Sequence, residues 1–163
     1  MIKRLFFKGL PIAFVFIVNF LFSQEKGSSK LANELFNDGN FSLALSEYLE
    51  LLEVTPEDIK LNYRVGVCYL NTNIDKASSI PYLEKSLSSE NIDPNTFYLL
   101  GRAYSYAYRF PEAIKMFEQF KTTNKGTSEN LKNVEKQIEY AYNAIEIMKF
   151  PLDVTFKNMG SAI

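Results

Sequence analysis

The chain has 163 residues with a formal charge of −1, 47% hydrophobic and 23% charged residues, no histidine and one cysteine. That length supports one domain with a packed core, and the composition excludes a disordered tail as the main state. The lack of histidine excludes Ser-His triads, histidine acid–base catalysis and histidine metal ligation, and a single thiol excludes an internal disulfide and a thiolate zinc site.

The N-terminal stretch "MIKRLFFKGLPIAFVFIVNFLFSQ" places Lys3, Arg4 and Lys8 ahead of an apolar run from Leu10 to Phe22, closed by Ser23. A membrane span needs about 20 apolar residues, so residues 1–23 read as a secretory signal peptide cut near Ser23 rather than as an uncleaved anchor. Cleavage there leaves 15 basic against 19 acidic residues, a formal charge of −4. Such a chain lacks the clustered Lys and Arg that draw nucleic acid. No cysteine stands near the end of the apolar run, so the expected mature N-terminus carries no lipid. The protein is therefore expected to be exported and to be periplasmic or associated with an outer membrane.

Residues 24–127 repeat themselves. Ala32, Gly66 and Gly101 are spaced by 34 and 35 residues, and Leu35, Tyr69 and Tyr104 each follow three positions later. In "SLALSEYLELLEVTP" and "PEAIKMFEQF", Ala44, Tyr48 and Leu51 align with Ala113, Phe117 and Phe120. The middle copy supplies Ser79, Leu83 and Ser86, with one extra residue in its turn. Residues three or four apart share a helical face, so each copy predicts two helices in which a small residue lets the partner helix approach and a large one fills the gap. Turn chemistry separates the helices at Asn37–Asn40 and Asn71–Asp75, with Asp75 an N-cap, while Pro56 and Pro94 mark helix ends and Pro111 a helix entry. Tyr104, Tyr106 and Tyr108 alternate like a strand, yet Gly101, Tyr104 and Tyr108 also fit helical spacing, and the repeat assigns them to helix. Cys68, inside a helical pattern, reads as a small buried residue.

From Ser128 to Lys149, Leu131, Val134, Ile138, Ala141, Ile145 and Met148 recur at threes and fours, which predicts an amphipathic helix of about six turns. Residues 128–150 are read as a helix capping the last repeat. Beyond Pro151, Leu152, Val154 and Phe156 alternate with polar residues, so residues 151–163 read as a tail or the opening of a β domain.

The period and the order of small, large and turn residues resemble the tetratricopeptide repeat (TPR). That resemblance implies an all-α superhelix of three helix-turn-helix repeats with a C-terminal capping helix and a short strand-like tail. It also implies a groove lined by the first helices, suited to an extended peptide or a partner helix. The groove positions are Asn33 and Asn37, then Tyr63, Val67 and Asn71, then Tyr98, Arg102 and Tyr106, among which Tyr and Arg are favoured anchors. Members that grip a C-terminal carboxylate carry Lys, Asn and Arg where this chain has Ser29 and Asn33, Arg64, Asn95 and Leu99. That activity is not carried over.

The order of signal peptide, repeats and a helix running into "NAIEIMKFPLDVTFKNMGSAI" resembles the N-terminal part of Bacteroidota cell-envelope proteins. In those, the repeats precede a WD40-like (PD40) propeller and an OmpA-like peptidoglycan-binding domain, and some serve type IX secretion. Neither domain falls within these residues, so peptidoglycan binding is not assigned to them, and membrane association is expected only through the signal peptide or such further domains. The reading is a non-catalytic scaffold with a protein or peptide partner, no cofactor, no metal and no nucleic acid. The alternatives are a free-standing periplasmic adaptor and, from another class, a carboxylate-dependent hydrolase of envelope glycans. Glu47, Glu50 and Glu53, or Glu135 and Glu139, would serve the hydrolase, but their spacing is that of a solvated helix face.

Overall fold

The alternation of small and large apolar residues folds into helix pairs. A computed structural model describes residues 29–123 and 126–152, in two units that divide between Ile92 and Asp93. The first holds α1 (residues 29–37), α2 (Phe41–Val54), α3 (Ile59–Asn71) and a 3-10 turn (Lys76–Ser79) leading into α4 (Ile80–Ser86). The second holds α5 (Asn95–Tyr106), α6 (Phe110–Thr122) and α7 (Ser128–Met148). All regular structure among the described residues is helical. No described helix is long and apolar enough to cross a membrane.

Each pair is locked by the expected interlock. A Cβ on Gly66 would lie 2.5 Å from Leu83 Cγ, and one on Gly101 would lie 2.6 Å from Phe117 Cδ1. In the first copy Ala32 and Tyr48 share one buried cluster with Ala44, Leu45, Val65 and Cys68. Tyr48, Leu83 and Phe117 occupy the same position in the three copies, and none is more than 1% exposed. Second helices therefore close onto first helices at a point where only a hydrogen or a methyl fits.

The links between the paired helices use two solutions. Residues 38–40 and 107–109 are three-residue links whose second residue is left-handed, Gly39 at φ 76° and Tyr108 at φ 57°. In both, the next N–H bonds back five residues, Asn40 to the Leu35 carbonyl and Arg109 to the Tyr104 carbonyl. The left-handed residue itself bonds back three, to Phe36 and Ser105. This Schellman closure satisfies carbonyls at the end of the first helix. Tyr108, read from the sequence as helical, lies beyond the end of α5 because this closure ends the helix at Tyr106. Arg109 then stacks 4.4 Å over the Tyr104 ring, and its Nε donates to Glu112 at 2.9 Å, which holds that carboxyl below its ordinary value.

The link of the second copy, residues 72–75, is one residue longer. There Lys76 Nζ donates to the Leu70 and Thr72 carbonyls, each at 2.8 Å, and so satisfies groups at the C-terminus of α3. Asp75 accepts from the Ala77 N–H at 3.0 Å as an N-cap, but what it caps is the 3-10 turn, and Pro81 stands in the first turn of α4. Between the copies, Asp58 caps α3, and buried Asn62 Nδ2 donates to the Pro56 and Asp58 carbonyls at 3.1 and 2.7 Å.

In the second unit α7 packs on α6 through buried Val134, Ile138 and Ala141. The apolar stripe was expected to be covered down to Met148, yet Met148 is 58% exposed. The cause is length. At about 1.5 Å per residue, the 21 residues of α7 overrun the 13 of α6 by two turns. The alternating pattern from Leu152 to Phe156 lies, apart from Leu152, outside the described residues, as do residues 1–23, which were read as a signal peptide.

Cys68 is fully buried, and desolvation pushes its thiol from the ordinary 9.0 up to about 12, with Arg64 opposing. Burial likewise raises the Tyr48 and Tyr69 hydroxyls. These groups hold their protons longer in the folded chain than in the unfolded one. The thiol's contribution to stability is full below pH 9.0 and is lost as pH climbs toward about 12, and the two raised hydroxyls add to the loss at alkaline pH. The thiol is expected to be unreactive to a disulfide reagent at about pH 8 until urea unfolds the chain. Over the alkaline range the urea midpoint is expected to fall. A native thiol reacting at the unfolded rate would contradict this burial.

Candidate functional site

The residues one turn apart on the first helices form one face per helix: Asn33 and Asn37 on α1; Tyr63, Val67 and Asn71 on α3; Tyr98, Arg102 and Tyr106 on α5. Each set keeps the same offsets from the small residue, Ala32, Gly66 or Gly101, so the three sets hold equivalent positions in the repeat.

In the first unit α1 and α3 touch through the Arg64 guanidinium, 4.2 Å over the Phe36 ring. Asn33, expected as a contact residue, is engaged internally. Its Oδ1 accepts from the buried Tyr48 hydroxyl at 2.8 Å, and its Nδ2 donates to the Ser29 carbonyl at 2.7 Å. A buried phenol needs an acceptor, and α1 supplies it from the face assigned to a partner. Asn37 and Asn71 are exposed, with Asn71 Nδ2 bonded back to the Val67 carbonyl at 2.8 Å, while Tyr63 and Val67 are half-buried.

In the second unit Tyr98 also has a packing role, its ring 6.0 Å from Phe117 and 5.8 Å from Phe120. Arg102 sits with its guanidinium carbon 6.0 Å from the Tyr98 ring, and Tyr106 is 47% exposed one turn on. The face therefore has an anchored base at Tyr98, a half-buried Arg102 and an exposed Tyr106. A cavity of about 190 Å³ opens beside it, lined by Asn95, Tyr98, Phe120, Asn130, Asn133 and Val134. The repeat frame did not mark Asn130 and Asn133, because they belong to α7, read only for its apolar stripe.

The carboxylates weighed for hydrolysis stand along helix faces: Glu50, Glu53, Glu135 and Glu139 are exposed and Glu47 is half-buried. No group of three or more Cys, Asp or Glu side chains able to hold a metal ion occurs among the described residues.

No family model and no curated protein matches the chain. Solved structures do. The Sgt2 TPR domain from Aspergillus fumigatus superposes with a TM-score of 0.57 at 13% identity, over 86% of this chain and 91% of that one. The MamA RS-1 ArsTM double mutant superposes with a TM-score of 0.57 at 16% identity, over 78% of each chain. At such identities the likeness establishes the fold, that of an all-helical TPR domain.

Proposed function

We propose that the chain is a non-catalytic scaffold for protein–protein contact, exported to the bacterial envelope, and that it acts by equilibrium binding of a protein or peptide on its first-helix faces. We propose further that it serves as the repeat arm of an envelope protein of the propeller and OmpA-like type, of which some work in type IX secretion. The observation that carries the binding reading is the α5 face in a TPR fold. Half-buried Arg102 and exposed Tyr106 stand there on a base fixed by Tyr98, and Tyr and Arg combine large contact area with hydrogen bonding. Basic leader residues, the apolar run and Ser23 support the export reading.

Tyr98 is a poor probe, because removing its ring also unpacks Phe117 and Phe120. The informative variant is Arg102→Ala with Tyr106→Ala. The full chain, immobilised and exposed to bacterial envelope extract, is expected to retain specific proteins that the double variant loses. Circular dichroism should stay unchanged. Equal retention by the two proteins would refute the assignment of this face.

A further inference from the structure

Past the reach of α6, the last two turns of α7 keep the residue pattern of a packed helix but lie open. Ala141, Ala144, Ile145 and Met148 still follow one another at threes and fours, and Ile147 stands one turn beyond Ala144. Ile147 is 71% exposed and Met148 58%, while Phe150 and Leu152, just after the helix, are 77% and 87% exposed. These four side chains and Pro151 line a single open cleft together with Glu146, so they form one continuous patch.

Area, shape and charge together narrow what covers it. The patch offers roughly 500 Å² of apolar surface, at the upper end of what a lone monomer shows. A specific interface needs about 1,000 Å² in total, which two copies meeting on this patch would supply and a single small ligand would not. The threes-and-fours pattern asks for another helix as its cover, and a second α7 carries the same pattern. Between Ala144 and Leu152 the charged residues are Glu146 and Lys149, and they pair with each other at 2.6 Å. A two-fold axis brings each group toward its own copy, so a lone charge would repel itself, whereas this neutral pair does not. A different protein is ordinarily selected by a complementary potential, and the patch presents no net charge for one to read.

We infer that this chain self-associates as a two-fold dimer through the projecting end of α7, with the two α7 ends antiparallel and the axis passing near Ile147 and Met148. Each of these residues then meets its equivalent in the second copy, and Phe150 and Leu152 of both copies close the contact. The inference goes beyond the scaffold reading and does not depend on it, since the α5 face takes no part. It explains why α7 runs two turns past the helix it covers: the near part of its stripe belongs to α6 and the far part to the second copy.

The test measures the sedimentation of the full chain up to about 100 μM, where a dimer is expected to predominate. Ile147→Lys with Met148→Lys sets like charges against each other across the axis and is expected to weaken the dimer at least tenfold. Both positions are exposed, and cations suit a helix C-terminus, so circular dichroism and the urea midpoint should stay unchanged. Buried Cys68 leaves a second readout open. Under a mild oxidant Met148→Cys is expected to give a disulfide-linked dimer. Lys132→Cys, about 24 Å away along α7, is not. A parent chain that stays monomeric at about 100 μM would overturn the inference and leave the patch to a different partner. Association that survives the double lysine change would place the contact elsewhere and overturn it equally. Cross-linking of both cysteine variants to the same extent, or of neither, would refute the two-fold register.

Discussion

Replacing Phe117 by Ala is expected to lower the unfolding free energy of the full chain by about 3–5 kcal/mol. The ring is fully buried, fills the gap above Gly101 and meets the Tyr98 ring at 6.0 Å. The loss combines the transfer of the ring out of an apolar site with the void left behind. That void cannot close cheaply, because Gly101 has no side chain to move into it and Ala113, from the same helix, is too small. Urea unfolding followed by far-UV circular dichroism measures the effect. A loss under about 1 kcal/mol would mean that α5 and α6 are not held by this contact.

Replacing Gly66 by Val produces the opposite defect at the equivalent place. The new Cβ would stand 2.5 Å from Leu83 Cγ, a branch point that must move together with its two methyls. Overpacking of this kind costs about 1–3 kcal/mol, and the better helix propensity of Val over Gly returns only a few tenths of about 1 kcal/mol. The expected result is a lower urea midpoint with an unchanged slope. Pairing Gly66→Val with Leu83→Ala should cost less than the sum of the two single changes, since each supplies what the other removes. Strict additivity would show that the two positions do not meet.

Those two positions also show why the helix pairs were legible in the sequence. Small and large residues at a period of 34 or 35 encode a contact, and the contact is what the structure contains at Gly66 and Gly101. The cap of Asp75, the entry at Pro111 and the burial of Cys68 follow from single-residue chemistry and were legible for that reason. What was not legible depends on which neighbour a polar group chooses. Asn33 has the spacing of a contact residue, but the buried Tyr48 hydroxyl requires an acceptor, a demand visible only once α1 and α2 are packed. Tyr98 likewise fits the pattern of an exposed face while its ring wedges against Phe117 and Phe120. Asn130 and Asn133, which line the cavity from α7, are invisible to periodicity, since both are polar and lie outside the repeat.

The links between paired helices have a consequence for how the repeat tolerates change in length. The two three-residue links each place a left-handed residue at their centre, once glycine and once the bulky Tyr108. The four-residue link at 72–75 has no positive φ and closes with a lysine ammonium instead. In all three copies the second helical segment then starts three residues before its small buried residue, so the added residue never reaches the interlock. One extra peptide unit and one left-handed backbone are thus interchangeable currencies of reversal. Insertions can accumulate at this corner without disturbing packing phase, and a copy that gains one is released from the need for a left-handed residue there.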